Sequence, residues 1–269
     1  MSMIFQKRST RTRVSTESGF AQLGGHALFL GSEDIQLGKN ESLYDTAKVL
    51  SRYNDIILAR VYGHSTITEL CTHATVPIIN ALSDMHHPLQ GLADLMTLEQ
   101  YFKRLDGLTI AWVGDGNNIL NTFLSGAGKV GYNVRYATPK GYEPPTEIVQ
   151  QAQKEAKANG VTIFATNDPL EAVKGADAIV TDTWVSMGQE EEYNKRLKDF
   201  KGYQVTKDMI TKGGAKQDWV FLHCLPRKPQ EVDDEVFYSP RSLVWNEAEN
   251  RKWTVMAVAL AQILGGADV

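Results

Sequence analysis

Six short stretches of this 269-residue chain combine side chains able to handle small charged molecules. The first, Ser9-Thr10-Arg11-Thr12-Arg13, follows the apolar run Met3-Ile4-Phe5 and opens a helical pattern. N–H groups at a helix start lack intrahelical acceptors and carry the positive end of the dipole, so hydroxyls and guanidinium groups there suit a phosphate. A solvated basic face is the competing reading. Arg60 ends the apolar stretch Asp55-Ile56-Ile57-Leu58-Ala59, where a buried cation is costly unless it is paired or faces a ligand. In His86-His87-Pro88-Leu89-Gln90, His87 and Gln90 lie three apart and can aim at one point from a helix's first turn. A capping histidine explains the same residues, and no Cys or Glu stands at metal-ligand spacing beside them.

The other three stretches come later, from residue 114 onward. Gly114-Asp115-Gly116-Asn117-Asn118 invites a dinucleotide reading, yet the third glycine is missing and the next strand ends Tyr136-Ala137-Thr138-Pro139, without an acid for a ribose hydroxyl. That weakens the dinucleotide reading, and a tight turn presenting Asn118 to a small ligand explains the same residues. In Asp182-Thr183-Trp184-Val185-Ser186-Met187-Gly188, an ionised Asp182 selects an ammonium group while Ser186 donates to a carboxylate; an N-cap and turn is the alternative. Cys224, in His223-Cys224-Leu225-Pro226, is open to three readings: nucleophile, weakly polar wall for a neutral amine, or inert buried thiol.

Short β-rich runs alternating with helical patterns must position these groups, which predicts right-handed βαβ units around parallel sheets. Strands are expected near 3–5, 27–30, 56–61 and 77–82, with helices starting near Ser9, Ser42 and Thr66. A helix over 88–104, with Leu92, Leu95, Leu98 and Phe102 on one stripe, bridges to a second series. That series has strands at 108–113, 133–137, 161–165, 178–183 and 219–223. Its helices are expected at 118–130, 146–157, 169–174, 190–200 and 247–264. Two α/β lobes with a cleft between them is the predicted architecture, with chemistry at the carboxyl ends of the strands.

Bulk properties narrow the ligand class. A net charge of −4, from 28 basic and 32 acidic residues spread along the chain, leaves no electrostatic footprint for nucleic acid. Two distant cysteines argue against a disulfide framework. No apolar run approaches the ~18 residues of a spanning helix, so no membrane partner is expected.

Taken together, STRTR at 9–13, HPLQ at 87–90, DTWVSMG at 182–188, HCLP at 223–226 and Arg251 in Glu249-Asn250-Arg251-Lys252-Trp253 resemble the ornithine carbamoyltransferases, in family order over essentially the whole chain. STRTR with HPxQ marks transcarbamylases, and the SMG loop with HCLP points to the ornithine branch. The resemblance implies two Rossmann-like α/β domains: residues 1–104 holding carbamoyl phosphate, residues 105–269 holding L-ornithine, and the last helix returning to the first domain. It implies no cofactor and no metal.

By matching positions, Ser9, Thr10, Arg11, Thr12 and Arg60 bind the phosphate. Arg60, His87 and Gln90 hold the carbamoyl group, with Arg251 and the Leu225 carbonyl completing that pocket. Asn118, Asp182, Ser186 and Met187 bind the amino-acid end of ornithine, and Cys224 lies near its δ-amine. The reacting set is then Arg60, His87, Gln90, Cys224 and Arg251. The resemblance further implies a cis peptide at Leu225-Pro226 and a homotrimer in which Gln36 reaches a neighbouring subunit's phosphate pocket. Aspartate carbamoyltransferase is the nearest rival; an inactive fragment or non-catalytic homologue is the alternative of another class. Relative to the family, an upstream segment of the first domain is expected to be absent. Residues 114–144 look like those of eukaryotic members, which suggests the mitochondrial matrix, with cytoplasm as the alternative.

Overall fold

Two wholly parallel sheets organise the chain in this computed structural model, which describes every residue except Asp34, Gly38, Lys39, Met187 and 266–269, and the side chain of Glu190. Two compact units result, one of residues 1–93 with 249–269 and the other of 94–248. The sequence reading divides the chain at 104; the compact units divide earlier, inside a helix.

The first unit runs β1 (Ser2–Phe5), α1 (Thr10–Gln22), β2 (Leu28–Gly31), α2 (Leu43–Leu50), β3 (Ile57–Arg60), α3 (His64–His73), β4 (Ile78–Leu82) and the start of α4 (Pro88–Phe102). Its strand order is β2-β1-β3-β4. Successive strand residues face opposite sides, and the sequence supplies apolar groups to both. Met3, Phe5, Ile56, Leu58, Ile79 and Ala81 join Phe20 of α1 and Leu89 of α4 in one core. Ile4, Ile57, Ala59 and Val61 join Ala47 of α2 and Ile67 and Leu70 of α3 in the other.

The second unit continues with β5 (Thr109–Val113), α5 (Asn118–Val130), β6 (Asn133–Ala137), α6 (Thr146–Ala158), β7 (Ile163–Thr166), α7 (Pro169–Val173) and β8 (Ala178–Val180). A 3₁₀ turn at Glu190–Glu192 leads into α8 (Tyr193–Asp199), then α9 (Lys207–Gly213), β9 (Val220–Leu222), α10 (Asp234–Phe237) and α11 (Val244–Ile263). Strand order is β7-β6-β5-β8-β9. From residue 249 onward α11 belongs to the first unit, where Val255 and Ala259 enter the core beside Met3 and Phe5. Among the described residues, no helix is long and apolar enough to cross a membrane.

Ligands of open parallel sheets bind outside the carboxyl ends of strands, where the winding reverses direction. The reversal lies between β1 and β3 in one unit and between β5 and β8 in the other. All six stretches singled out in the sequence sit at such carboxyl ends, after β1, β3, β4, β5, β8 and β9 in turn.

Three expectations need correction. The helix expected from Thr66 starts at His64. The charged stretch 190–200 is a 3₁₀ turn followed by a short helix. On α4 the apolar stripe is only partly buried: Leu98 is inside but Leu92 is 44% exposed, while Gln90, Asp94 and Thr97 are buried with Leu89 and Ala93. The reason is that α4 spends its inward face on polar groups that have hydrogen-bonding or ionic partners to meet.

Candidate active site

In the first unit the site begins at the start of α1. Ser9 is the N-cap, in extended backbone, and its hydroxyl accepts from the Thr12 N–H at 3.2 Å. Thr12 is buried, Arg11 half-buried and Thr10 exposed. Arg13 turns away: it pairs with Glu17 at 3.0 Å and stacks over the Phe29 ring. Of the two arginines in the turn itself, Arg13 is therefore the solvated one, while the charge of Arg11 bears on His87.

Arg60, at the end of β3, is only 5% exposed. The β3–β4 register shifts between Ala59 and Arg60, so a bulge aims this residue at the mouth of the sheet. From the other end of the chain, Arg251 on α11 donates through Nη1 to Gln90 Oε1 at 2.6 Å and through Nη2 to Thr12 Oγ1 at 3.1 Å. Thr12, Gln90 and Arg251 thus form one buried network joining residues 161 and 239 positions apart in sequence. His87 is buried beside it. Burial, then the charges of Arg251, Arg60 and Arg11, hold its imidazole well below the usual histidine range. It is a neutral ring in a field of guanidinium groups, a hydrogen-bonding group and not a cation.

In the second unit, Asp182 follows β8 and is buried. Its Oδ2 accepts from Asn117 Nδ2 at 2.9 Å and its Oδ1 from Cys224 Sγ at 3.0 Å. Burial raises the Asp182 carboxyl above the usual range even though these donors favour its ionised form. Such a carboxylate gains most from a cation placed beside it.

Cys224 is pushed well above the ordinary thiol range, first by burial and then by Asp182. A thiol that stays protonated and donates to a carboxylate is a poor nucleophile. Of the three readings left open by the sequence, the geometry speaks against the nucleophile. Iodoacetamide at neutral pH is therefore expected to label exposed Cys71 well before Cys224. Equal rates, read by peptide mass mapping, would restore the nucleophile reading.

Ligand atoms of Asp182, His223 and Cys224 lie within 4.8 Å of one another. Both ring nitrogens of His223 are engaged, however: Nδ1 accepts from the Leu225 N–H at 2.9 Å, and Nε2 faces Glu231 Oε2 at 3.1 Å. The trio is built as a hydrogen-bonding network. Leu225 takes a left-handed φ of 62°, unusual for a leucine, and its peptide to Pro226 is cis.

The glycines after β5 serve a turn. A Cβ on Gly116 would lie 2.4 Å from the Tyr142 carbonyl oxygen, so only glycine lets the two backbones meet. Asn117 caps α5 by accepting from Ile119 N–H while its amide holds Asp182. The Asp182–Gly188 stretch is fastened on both sides. Arg196 donates to the Trp184 carbonyl at 2.9 Å and pairs with Asp115 at 3.1 Å, and Lys228 donates to Thr183 Oγ1 at 3.3 Å. Burial pushes Asp115 up to about 6 against the pull of Arg196. Ser186 donates its N–H to Gln189 Oε1; Met187, also expected in this site, lies outside the described residues.

Comparison with known proteins bears on the same division. Residues 1–100 match the family model for the carbamoyl-P binding domain of aspartate/ornithine carbamoyltransferase, and residues 106–261 match its Asp/Orn binding domain. The chain belongs to the aspartate/ornithine carbamoyltransferase family. Within this carbamoyltransferase family it is 58% identical over 261 residues to the mitochondrial ornithine transcarbamylase of Gallus gallus, covering 97% of this chain and 73% of that one. It is 54% identical over 270 residues to the mitochondrial ornithine carbamoyltransferase of Aspergillus niger, covering 96% and 73%. Among solved structures, the ornithine carbamoyltransferase of Pyrococcus furiosus superposes with a TM-score of 0.94 at 48% identity, over 99% of this chain and 85% of the other. The mitochondrial ornithine carbamoyltransferase of Coccidioides immitis gives 0.91 at 48%, over 100% and 85%.

Of the residues expected from the family resemblance, the first unit brings together Thr12, Gln90 and Arg251 by direct hydrogen bonds, with His87 in the field of Arg11, Arg60 and Arg251. The second brings together Asp182 and Cys224. Asn118 is the first residue of α5, beside the Asn117 that actually bonds Asp182. Gln36 is exposed, its side-chain oxygen accepting from Asn40. Asn117, Arg196 and Asp115 are the residues that sequence reasoning missed. Asn117 had a readable signal, an N-cap amide after a glycine turn; Arg196 had none, sitting in a run of charges that reads as a solvated face.

Proposed function

We propose that the protein transfers the carbamoyl group of carbamoyl phosphate to the δ-amine of L-ornithine, giving L-citrulline and phosphate. The observation that carries the choice of amine is Asp182, a buried carboxylate between an amide and a thiol. It suits the α-ammonium of ornithine and repels the second carboxylate of aspartate. The names of the relatives from Gallus gallus and Aspergillus niger agree with that choice.

In this reading the phosphate sits on the N-terminus of α1, where Ser9, Thr10, Arg11 and Thr12 donate, with Arg60 alongside. The carbamoyl oxygen takes hydrogen bonds from Arg60 and neutral His87. Gln90, held by Arg251, and the Leu225 carbonyl receive the carbamoyl NH₂. Ornithine's amino-acid end is bound by Asn118, Asp182, Ser186 and Met187, and Cys224 borders its side chain. The neutral δ-amine attacks the carbamoyl carbon and a C–N bond forms. Negative charge grows on the carbonyl oxygen, where Arg60 and His87 stabilise it. The C–O bond to phosphate then breaks, phosphate leaves with the electron pair, and the amine gives up one proton. A wall of protonated thiol rather than carboxylate beside the amine favours its neutral, attacking form.

Assembly as a homotrimer, with exposed Gln36 reaching a neighbouring phosphate pocket, belongs to the same proposal. So does a mitochondrial matrix address, supported by the names of relatives, and a place in arginine synthesis or the urea cycle. The test of function is product formation: purified protein with carbamoyl phosphate should give citrulline and phosphate in equal amounts with ornithine, and no carbamoyl-aspartate with aspartate. The reverse preference would overturn the reading.

A further inference from the structure

Two carboxyl groups used by none of these steps lie buried in the second unit. Asp94 on α4 and Glu247 in the first turn of α11 are each 1% exposed, and their side chains are hydrogen-bonded to each other. Carboxylates are acceptors only, so two of them in hydrogen-bond contact need a proton between them. Glu247 has a second engagement: its Oε2 accepts the His223 N–H at 2.8 Å, just where β9 ends. That amide begins the turn containing Cys224 and the left-handed Leu225.

We propose that Asp94 and Glu247 share one proton and act as positioning residues, fixing the His223-Cys224-Leu225 turn against which the amine substrate is held. The proposal rests on the functional reading above for the role of that turn, but the pair itself stands on geometry. Glu247 is displaced well above the carboxylate range, first by burial and then by Asp94, with the His223 N–H opposing. Titratable groups that bear on the pair include Asp182 and Cys224 beside Glu247, and Tyr132 beside Asp94; the Tyr132 hydroxyl donates to the Phe123 carbonyl.

The sign of the pH effect follows. The folded protein holds a proton that the unfolded chain releases in the ordinary carboxylate range, so this contribution to stability is present in acid and is lost as pH rises through the pair's raised value. The test compares E247Q, D94N and E247A with the unaltered protein. In melting curves across neutral to alkaline pH, E247Q and D94N, each supplying an amide N–H in place of the shared proton, should flatten the alkaline loss. In steady-state kinetics at neutral pH, E247A should raise the ornithine KM about tenfold or more with the carbamoyl phosphate KM little changed, and E247Q should restore most of the difference.

An alkaline slope left unchanged by both E247Q and D94N overturns the shared proton. An ornithine KM unmoved in folded E247A overturns the positioning role; if E247A does not fold, an E247Q enzyme with an ornithine KM raised as far as tenfold does so. Absence of ornithine turnover in the unaltered protein would sink the functional reading instead, and the melting slopes would still decide the pair.

Discussion

Asp182→Asn should raise the ornithine KM by about a hundredfold and leave carbamoyl phosphate binding nearly untouched, because the change removes one buried charge from the second unit and alters nothing in the first. Asparagine keeps the size of the side chain and one acceptor oxygen, which can still take the Asn117 amide where Asp182 accepts at 2.9 Å, while its NH₂ can donate to the Cys224 sulfur, the partner at 3.0 Å. The effect should therefore be electrostatic. Its pH signature separates it from misfolding. Burial holds the Asp182 carboxyl above its usual range, so in the unaltered protein ornithine affinity falls as pH drops and that group takes up a proton. Asp182→Asn should lack this acid limb. Titration of each substrate by calorimetry would decide it, and equal losses for both would remove Asp182 from the amino-acid site.

Arg60→Gln should act on the other half of the reaction, lowering kcat by about a hundredfold to a thousandfold, the usual range for deleting a donor to a developing oxyanion. The guanidinium is buried at the end of β3 and bears on His87 together with Arg11 and Arg251. Glutamine still donates a hydrogen bond but carries no charge, so the loss should fall on the transition state more than on the ornithine KM. Removing one of three cations also relaxes the pressure that keeps His87 neutral, and the His87 ring should titrate at higher pH in this variant by NMR. A kcat within threefold of the unaltered protein would leave Arg60 as a structural cation.

How far the sequence revealed these groups depends on what each signal was made of. Ser9 was legible because a hydroxyl residue between an apolar strand and a helical pattern has a local job, capping, that the structure shows it doing. The sheet cores were legible because Met3, Ile4 and Phe5 alternate between two faces and both are apolar. The stripe on α4 misled because a buried helix face was assumed to be apolar, whereas Gln90, Asp94 and Thr97 are buried on it, Gln90 meeting Arg251 and Asp94 meeting Glu247 from far away in sequence. The link from Thr12 to Gln90 to Arg251 is of that long-range kind. Residue types at 12, 90 and 251 matched a family pattern, but only folding shows that one guanidinium bonds both others. Arg196 marks the limit. Nothing local distinguishes it from its neighbours in Glu190–Asp199, yet it is buried and ties Asp115 to the Trp184 carbonyl. The short helices α9 and α10 escaped for a simpler reason: at seven and four residues they are too brief for periodicity to register.

The most direct test of the account is a crystal structure with a conjugate in which a phosphonoacetyl group is joined to the δ-nitrogen of ornithine, so that both halves of the reaction are occupied by one molecule. The phosphonate should sit on the N-terminal turn of α1, taking hydrogen bonds from the Ser9–Thr12 segment and Arg60, with its carbonyl oxygen on Arg60 and His87 and its α-ammonium on Asp182. A phosphonate seated away from α1, or an ammonium without Asp182 within hydrogen-bond reach, would contradict it.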